Sequence, residues 1–227
     1  MRSTSLEKTR SQIEAQLLKL ARRQRYQEGL GIIECFHQKY GPDEETLIQK
    51  AFFLYHYAAY LMYDRTQKSK KKVLITRNFE EAIDICKLVI KKRRDIHERN
   101  LLNARIYLAQ IYAMMDRAKE AKKLARQTFE HQPSALTAER AADVHLRLND
   151  LPGAFTWYRT AITQAKKIEE KSMAQIGLAI VYKRIGKTSS ALKEITMALQ
   201  SLKRSGKNKN TTLLKQSIYA HFPQLKN

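Results

Sequence analysis

Apolar residues recur three and four positions apart along nearly the whole chain, which is the spacing of one face of an α-helix. Strict alternation of apolar and polar residues, the pattern of a half-buried strand, is scarce. The spacing predicts eleven helices, over residues 5–26, 28–40, 44–64, 79–94, 98–115, 118–131, 135–148, 152–168, 171–185, 188–202 and 211–222. The longest interruption is the basic segment RTQKSKKKVLITRN at 65–78, which we expect to be a loop. The pattern therefore predicts an all-α protein.

Three stretches of the chain repeat the same residue types at the same offsets. Each has a ring-bearing residue, a turn residue four positions later and an alanine five positions after the turn. The ring positions are Tyr112, His145 and Tyr182, the turn positions are Asp116, Asn149 and Gly186, and the alanines are Ala121, Ala154 and Ala191. The alanines lie 33 and 37 residues apart, which is a period typical of a repeated helix pair.

This pattern resembles the tetratricopeptide repeat, clearest in residues 98–203. The resemblance implies a right-handed solenoid of stacked antiparallel helix pairs, because one pair cannot bury its own apolar face. Residues 1–97 match more weakly, with Gly29 and Ala82 at the close-contact position, so we expect divergent helix pairs there around the basic loop. We expect one solenoid domain over residues 1–227, with helix 211–222 as its cap.

The composition agrees with long helices and excludes several classes of protein. The 227 residues include only 7 Gly and 4 Pro, too few for the frequent turns of a β-sandwich. No secretory signal precedes residue 13, and the longest apolar run, at 51–63, is too short to span a bilayer. Cys35 and Cys86 lie far apart in the sequence, and we expect both to be free thiols, which suits a reducing compartment. We therefore expect a cytoplasmic protein that is not in the membrane.

One tripeptide, Gly186-Lys187-Thr188, reads like the end of a phosphate-binding loop. Such a loop needs a glycine five residues before Gly186, where this chain has Val181. The repeat pattern instead predicts that Gly186 ends one helix and that Thr188 is the N-cap of the next. The six histidines and two cysteines show no metal-ligand spacing. We therefore expect a protein that is not an enzyme, with no cofactor and no metal.

The run FFLYHYAAYLMY at 52–63 concentrates aromatic residues on one predicted helix. Core filling between long helices is favoured over an aromatic platform for bases or peptide side chains. Tyr55, Tyr57, Tyr60 and Tyr63 cannot all face inward on one helix, so some of these phenols should lie at a rim or on a binding surface.

The resemblance to the tetratricopeptide family also implies a function, because the first helix of each pair in that family lines a groove for peptides or partner helices. The matching positions in this chain are Asn103, Tyr107, Gln110, Arg140, Asp143, Arg147, Lys183 and Arg184. The Lys-Asn pair with which some members hold a C-terminal carboxylate is absent at these positions. The four basic side chains of the set would still attract an acidic segment. The resemblance thus predicts a scaffold that binds a protein or peptide partner.

The charge of the chain keeps a second function open. Lys and Arg number 43 against 22 Asp and Glu, a net charge of +21 that attracts polyanions. Within segment 65–78, the candidate polyanion contacts are Lys68, Lys70, Lys71 and Lys72. No base-reading motif accompanies them, so contacts to RNA or to a ribosome would be made to the phosphate backbone.

Overall fold

The computed structural model describes residues 2–64, 68–92, 96–205 and 209–223, and this part of the chain holds eleven α-helices and no strand. The first six are α1 (Arg2–Arg22), α2 (Tyr26–Tyr40), α3 (Glu44–Tyr63), α4 (Lys68–Lys91), α5 (Glu98–Met114) and α6 (Ala118–His131). The others are α7 (Ala135–Arg147), α8 (Leu151–Gln164), α9 (Ile168–Arg184), α10 (Thr188–Arg204) and α11 (Lys209–His221). The all-α prediction is confirmed.

The structure corrects the prediction of a basic loop at 65–78. Residues 68–78 form the first three turns of α4, and residues 65–67 lie outside the described residues. The segment contains no Gly or Pro, and lysine and arginine are good helix formers, so its charge does not prevent a helix. Asn78 and Phe79, at the predicted start of the helix, are both buried within α4.

The chain forms two compact units, residues 1–111 and 112–227, each with its own core. In the first unit α1 packs on α2, α2 on α3, and α3 along α4. In the second unit α7 pairs with α8 and α9 with α10, while α11 packs on both α9 and α10. In these pairs, helices that follow each other in the chain pack as neighbours, as helix pairs require.

Four turns between helices have the same left-handed geometry. At these four turns the residue with positive φ is Gln24 (56°), Asp116 (58°), Asn149 (56°) or Gly186 (78°). At each turn this residue donates its N–H to the carbonyl three residues back, and the next residue donates to the carbonyl five residues back. The predictions for Asp116, Asn149 and Gly186 are confirmed. Gln24 adds a fourth copy of the turn, between α1 and α2.

Five residues after each of these turns stands a small, buried residue that lets the next helix approach closely. These residues are Gly29, Ala121, Ala154 and Ala191. Gly29 lies against the ring of Phe53 in α3, so closely that an added Cβ would overlap the ring. The predicted close-contact role of Gly29 is therefore confirmed.

The end of the second unit is covered by α11. Ile218 of α11 and Phe222, which directly follows this helix, join Ala179 of α9 and Ala191 of α10 in one buried cluster. The partly buried Leu214 packs against the same cluster. This arrangement fits the predicted capping helix.

Candidate partner-binding surfaces

A cavity of about 320 Å³ lies within the first unit, between α1, α3 and α5. Two of the predicted groove residues, Asn103 and Tyr107 of α5, line this cavity. Gln110, on the same helix, is half-buried and is not among the lining residues. The opposite wall comes from Leu17 of α1 and Phe52 of α3.

One face of α3 crosses this cavity and continues into a second one. Glu45, Gln49 and Phe52 line the first cavity. His56, Tyr60 and Tyr63 line a second, more open cavity of about 540 Å³ with Gln24, Tyr26, Ala59 and Asp64. These six residues of α3 are spaced by three and four positions, so they form a single stripe along the helix. We call this the α3 stripe; it is polar at its N-terminal end and aromatic at its C-terminal end.

At the polar end of the α3 stripe, the carboxyl group of Glu45 neighbours that of Glu14 of α1. Partial burial and the neighbouring carboxyl of Glu45 raise the pKa of Glu14, because both disfavour its charged form. Arg10 and Arg99 act in the opposite direction. Arg10 is itself paired with Asp43 at 2.6 Å.

The side chain of Gln49 lies beside this carboxyl pair. Its Nε2 donates a long hydrogen bond of 3.5 Å to Glu14 Oε1. Its Oε1 is shielded from solvent and accepts no hydrogen bond. A buried acceptor without a donor costs free energy, so this oxygen favours the arrival of an N–H group.

The aromatic end of the α3 stripe is a chain of ring contacts. The ring of Phe52 lies 5.8 Å from that of Tyr107 and 4.2 Å from that of His56, between centroids. His56 stacks on Tyr26 at 5.8 Å with an interplanar angle of 16°.

The structure settles how the aromatic run at 52–63 divides. Phe53 and Tyr55 belong to the core, whereas Tyr60 is 44% and Tyr63 71% exposed. The run therefore both fills the core and supplies a rim, as expected for tyrosines on several faces of one helix.

In the second unit, the predicted residues Arg140 and Asp143 of α7 contact each other at 3.1 Å. Asp143 also accepts a hydrogen bond of 2.7 Å from the phenol of the buried Tyr158. Arg140 lies 3.6 Å from the buried Glu139, and Arg147 is exposed. Arg140 and Asp143 thus belong to a network that joins α7 to α8.

The other two predicted residues of this unit bond to helix ends. Lys183 donates to the carbonyl of His221 at 2.9 Å, and its ammonium lies 5.2 Å from the ring centroid of Phe222. Arg184 donates to the carbonyl of Leu146 at 2.9 Å. Cations at carbonyls of helix C-termini stabilise those ends, so both side chains have a structural role.

His145, at a ring position of the repeat, contacts Asp150 and Trp157. Its Nδ1 lies 2.8 Å from Asp150 Oδ2, and its ring lies 6.5 Å from that of Trp157. A hydrogen bond from Lys122, aided by those from the Gly153 N–H and from His145, holds the pKa of Asp150 well below its usual value.

The predicted polyanion contacts lie at the start of α4. Lys71 pairs with Asp64, and Lys72 is exposed. The backbone of Lys68 and Lys70 is helical, and their side chains lie outside the described residues.

The geometry around Gly186 is that of a turn between α9 and α10. Gly186 takes the left-handed conformation, as predicted. The N-cap of α10 is Lys187, not Thr188, which is the first helical residue, so that detail of the prediction is wrong. Backbone hydrogen bonds close this turn without any side-chain cap.

Among the described residues, no three His, Cys, Asp or Glu side chains come close enough together to hold a metal ion. No described helix combines the length and apolarity needed to cross a membrane. Of the two thiols, Cys86 is buried in α4 and Cys35 is exposed on α2.

Comparison with known proteins identifies the class of fold. No protein-family model matches the chain, and comparison with curated proteins gives no match. The apo form of the quorum sensor NprR from B. thuringiensis has a TM-score of 0.52 and 16% identity, covering 97% of this chain and 65% of that one. The MamA RS-1 ArsTM double mutant has a TM-score of 0.51 and 14% identity, covering 87% and 97%. Together with the repeated turns, these likenesses show a tetratricopeptide-like helical repeat fold.

Proposed function

We propose that this chain is a non-catalytic member of the tetratricopeptide repeat family that binds a segment of a protein partner. The observation that carries the proposal is the cavity between α1, α3 and α5, which contains two of the residues assigned to a binding groove from sequence. Its walls combine aromatic rings with a few polar groups, the usual composition of a specific site. Because the helices are already ordered, binding costs little ordering entropy in the receptor.

Selection of random peptides displayed on phage tests this proposal with the full chain as bait. We expect the selected peptides to bind the Asn103→Arg variant at least about 10-fold more weakly, because the longer side chain fills the cavity. Lys193→Ala, an exposed position on α10, is the matched control and should bind them as the natural chain does. Absence of any enriched peptide, or equal binding by Asn103→Arg, would contradict the proposal.

The proposal also includes an acidic partner segment that binds to the second unit. Its contacts would be Arg140, Arg147, Lys183 and Arg184. Three of these side chains already bond to Asp143, His221 or Leu146, so an acidic ligand would have to compete with those contacts. Arg147→Glu should abolish binding of such a segment, and unchanged binding would remove Arg147 from the site.

The alternative is binding of RNA or ribosomes, which the net charge of +21 favours. Polyanion contacts release counterions, so affinity should fall by orders of magnitude between about 50 and 200 mM salt. Fluorescence anisotropy with an unstructured oligouridine across this range tests it. A flat or absent response excludes the RNA alternative.

We further propose a cytoplasmic location, supported by Cys35 and Cys86 remaining unpaired thiols. Fractionation of cells that express the tagged chain would test it, and recovery outside the cytoplasm would contradict it.

A further inference from the structure

We propose that the cavity between α1, α3 and α5 recognises a basic side chain, lysine or arginine, of the partner segment. This inference rests on the proposed peptide-binding function and specifies the chemistry of its ligand. It runs against the overall charge of the chain, which by itself would favour an acidic partner.

The first argument is local charge. Glu14 and Glu45 both line the cavity, and the negative charge of Glu45 disfavours ionisation of the Glu14 carboxyl. Arg99 is the only basic side chain that lines this cavity among the described residues, and nearby Arg10 already pairs with Asp43. A cation placed between the two carboxyl groups would replace their mutual repulsion with two attractions.

The second argument is the number of hydrogen-bond acceptors. Gln49 Oε1 lies in the same wall and accepts no hydrogen bond. Together with the carboxyl groups of Glu14 and Glu45 it makes three acceptor side chains from two helices. An ammonium group has three donors and a guanidinium group five, so either can satisfy all three side chains.

The third argument is the shape and lining of the cavity. A volume of about 320 Å³ is at the lower limit for ligand sites, so the cavity suits a single long side chain. Leu17, Phe52 and Phe53 supply apolar surface for the methylene stem. The rings of Phe52 and Tyr107 flank the same space, where an aromatic face attracts a cation.

The α3 stripe also determines how far a second bound side chain of the ligand lies from the basic one. Gln49 and Tyr60 are eleven residues apart, roughly 16 Å along a helix. An extended peptide covers this distance in about five residues. The cavity lined by His56, Tyr60 and Tyr63 would therefore receive an apolar or aromatic side chain about five residues from the basic one.

The sequences of phage-selected peptides test the inference separately from the proposed function. We expect lysine or arginine to be enriched at least about threefold at one position of the peptides that the natural chain selects. The best peptide should lose about 10- to 100-fold in affinity when norleucine replaces this residue. The Glu14→Gln/Glu45→Gln double variant should show a similar loss, and Glu45→Lys should select acidic residues instead.

Glu80→Gln is the matched control, because Glu80 is an exposed carboxylate of the same unit on α4. It should select the same peptides as the natural chain. Circular dichroism establishes that each variant is folded, and the isosteric single variant Glu45→Gln serves if the double variant is not. Selected peptides without a basic preference, or with acidic residues enriched, would overturn the inference while leaving the proposed function intact. Absence of any selected peptide would overturn both.

Discussion

At the scale of single residues, polar groups inside the second unit act mainly on each other. Tyr158 donates to Asp143, Asp143 contacts Arg140, and Arg140 lies near the buried Glu139. Burial, together with the neighbouring charge of Asp143, raises the pKa of Glu139 to about 7, although Arg140 opposes this. A buried carboxyl with such a pKa remains protonated in mild acid and must ionise near neutral pH.

This raised pKa predicts a pH-dependent stability. The folded pKa of about 7 lies above the ordinary value of 4.5, so the stabilisation is complete below 4.5 and is lost as the pH rises through about 7. Glu139→Gln removes this ionisation, so the variant should not lose the stability that the natural chain loses. Relative to the natural chain, its free energy of unfolding should increase by about 1–3 kcal/mol from pH 5 to pH 8.5. Urea unfolding at both pH values measures the change. The exposed Glu130→Gln of α6 is the control, and a pH-independent difference for Glu139→Gln would contradict the assignment.

At the scale of helices, the geometry depends on small residues at fixed distances from the turns. Gly29 lies against the buried Phe53, and Gly177 of α9 lies as closely against Tyr158 of α8. The absence of a Cβ at these positions lets two helices cross closely. Because it has no Cβ, glycine within a helix is less favourable than alanine by about 1 kcal/mol. The close approach of the two helices explains why glycine occupies these positions.

Two alanine substitutions in α2 should therefore have opposite effects. Gly29→Ala forces a Cβ into the ring of Phe53 and should lower the free energy of unfolding by about 1–3 kcal/mol. Gly31→Ala, two residues further on, has no atom within 4 Å of the new Cβ and should raise it by about 0.5–1 kcal/mol. Thermal and urea unfolding measure both. If both substitutions changed the free energy of unfolding equally, helix propensity and not the close contact would determine the effect of alanine at position 29.

At the scale of the whole molecule, the excess of positive charge is the main electrostatic property. The net charge is +21, and several exposed carboxylates are already used in pairs such as Arg25–Glu28 and Arg117–Glu120. Repulsion among the remaining cations opposes the compact state. Salt screens this repulsion within a distance of about 10 Å at 0.1 M.

The chain should consequently become more stable as salt is added. We expect the Tm to rise by roughly 2–5 °C between about 20 and 300 mM NaCl. Replacing exposed lysines by glutamate at Lys119, Lys123 and Lys193 should reduce this rise, because it removes part of the repulsion. Differential scanning calorimetry measures it. A Tm that falls with salt would show that attractive ion pairs outweigh the repulsion.

The sequence predicts the features that rest on local spacing. Asp116, Asn149 and Gly186 were identifiable as turn residues because a ring position precedes each, and an alanine follows it, at a constant offset. The basic segment was predicted wrongly because its charge hid the helix propensity of lysine. Charge is a property of the surface, and it does not determine the backbone conformation.

The candidate site was predictable only in part. Asn103 and Tyr107 follow from their place on α5, but the carboxyl pair joins Glu14 of α1 to Glu45 of α3, which are 31 residues apart. The carbonyls that Lys183 and Arg184 reach both lie 38 residues away. The spacing of residues within one helix does not predict contacts of this kind, because they depend on how separate helices pack.

The four left-handed turns have a consequence for how the chain could change in length. Asp116 and Asn149 take the same conformation, and each is followed by the N-cap residue of the next helix. Removing residues 117–149 would join Asp116 to Asp150 through a junction whose backbone geometry the chain already uses. Loss of these 33 residues thus leaves the three remaining turns intact, whereas loss of ten residues would end within a helix. The segment from one turn to the next is therefore the length of chain that can be removed or duplicated without creating a new kind of junction.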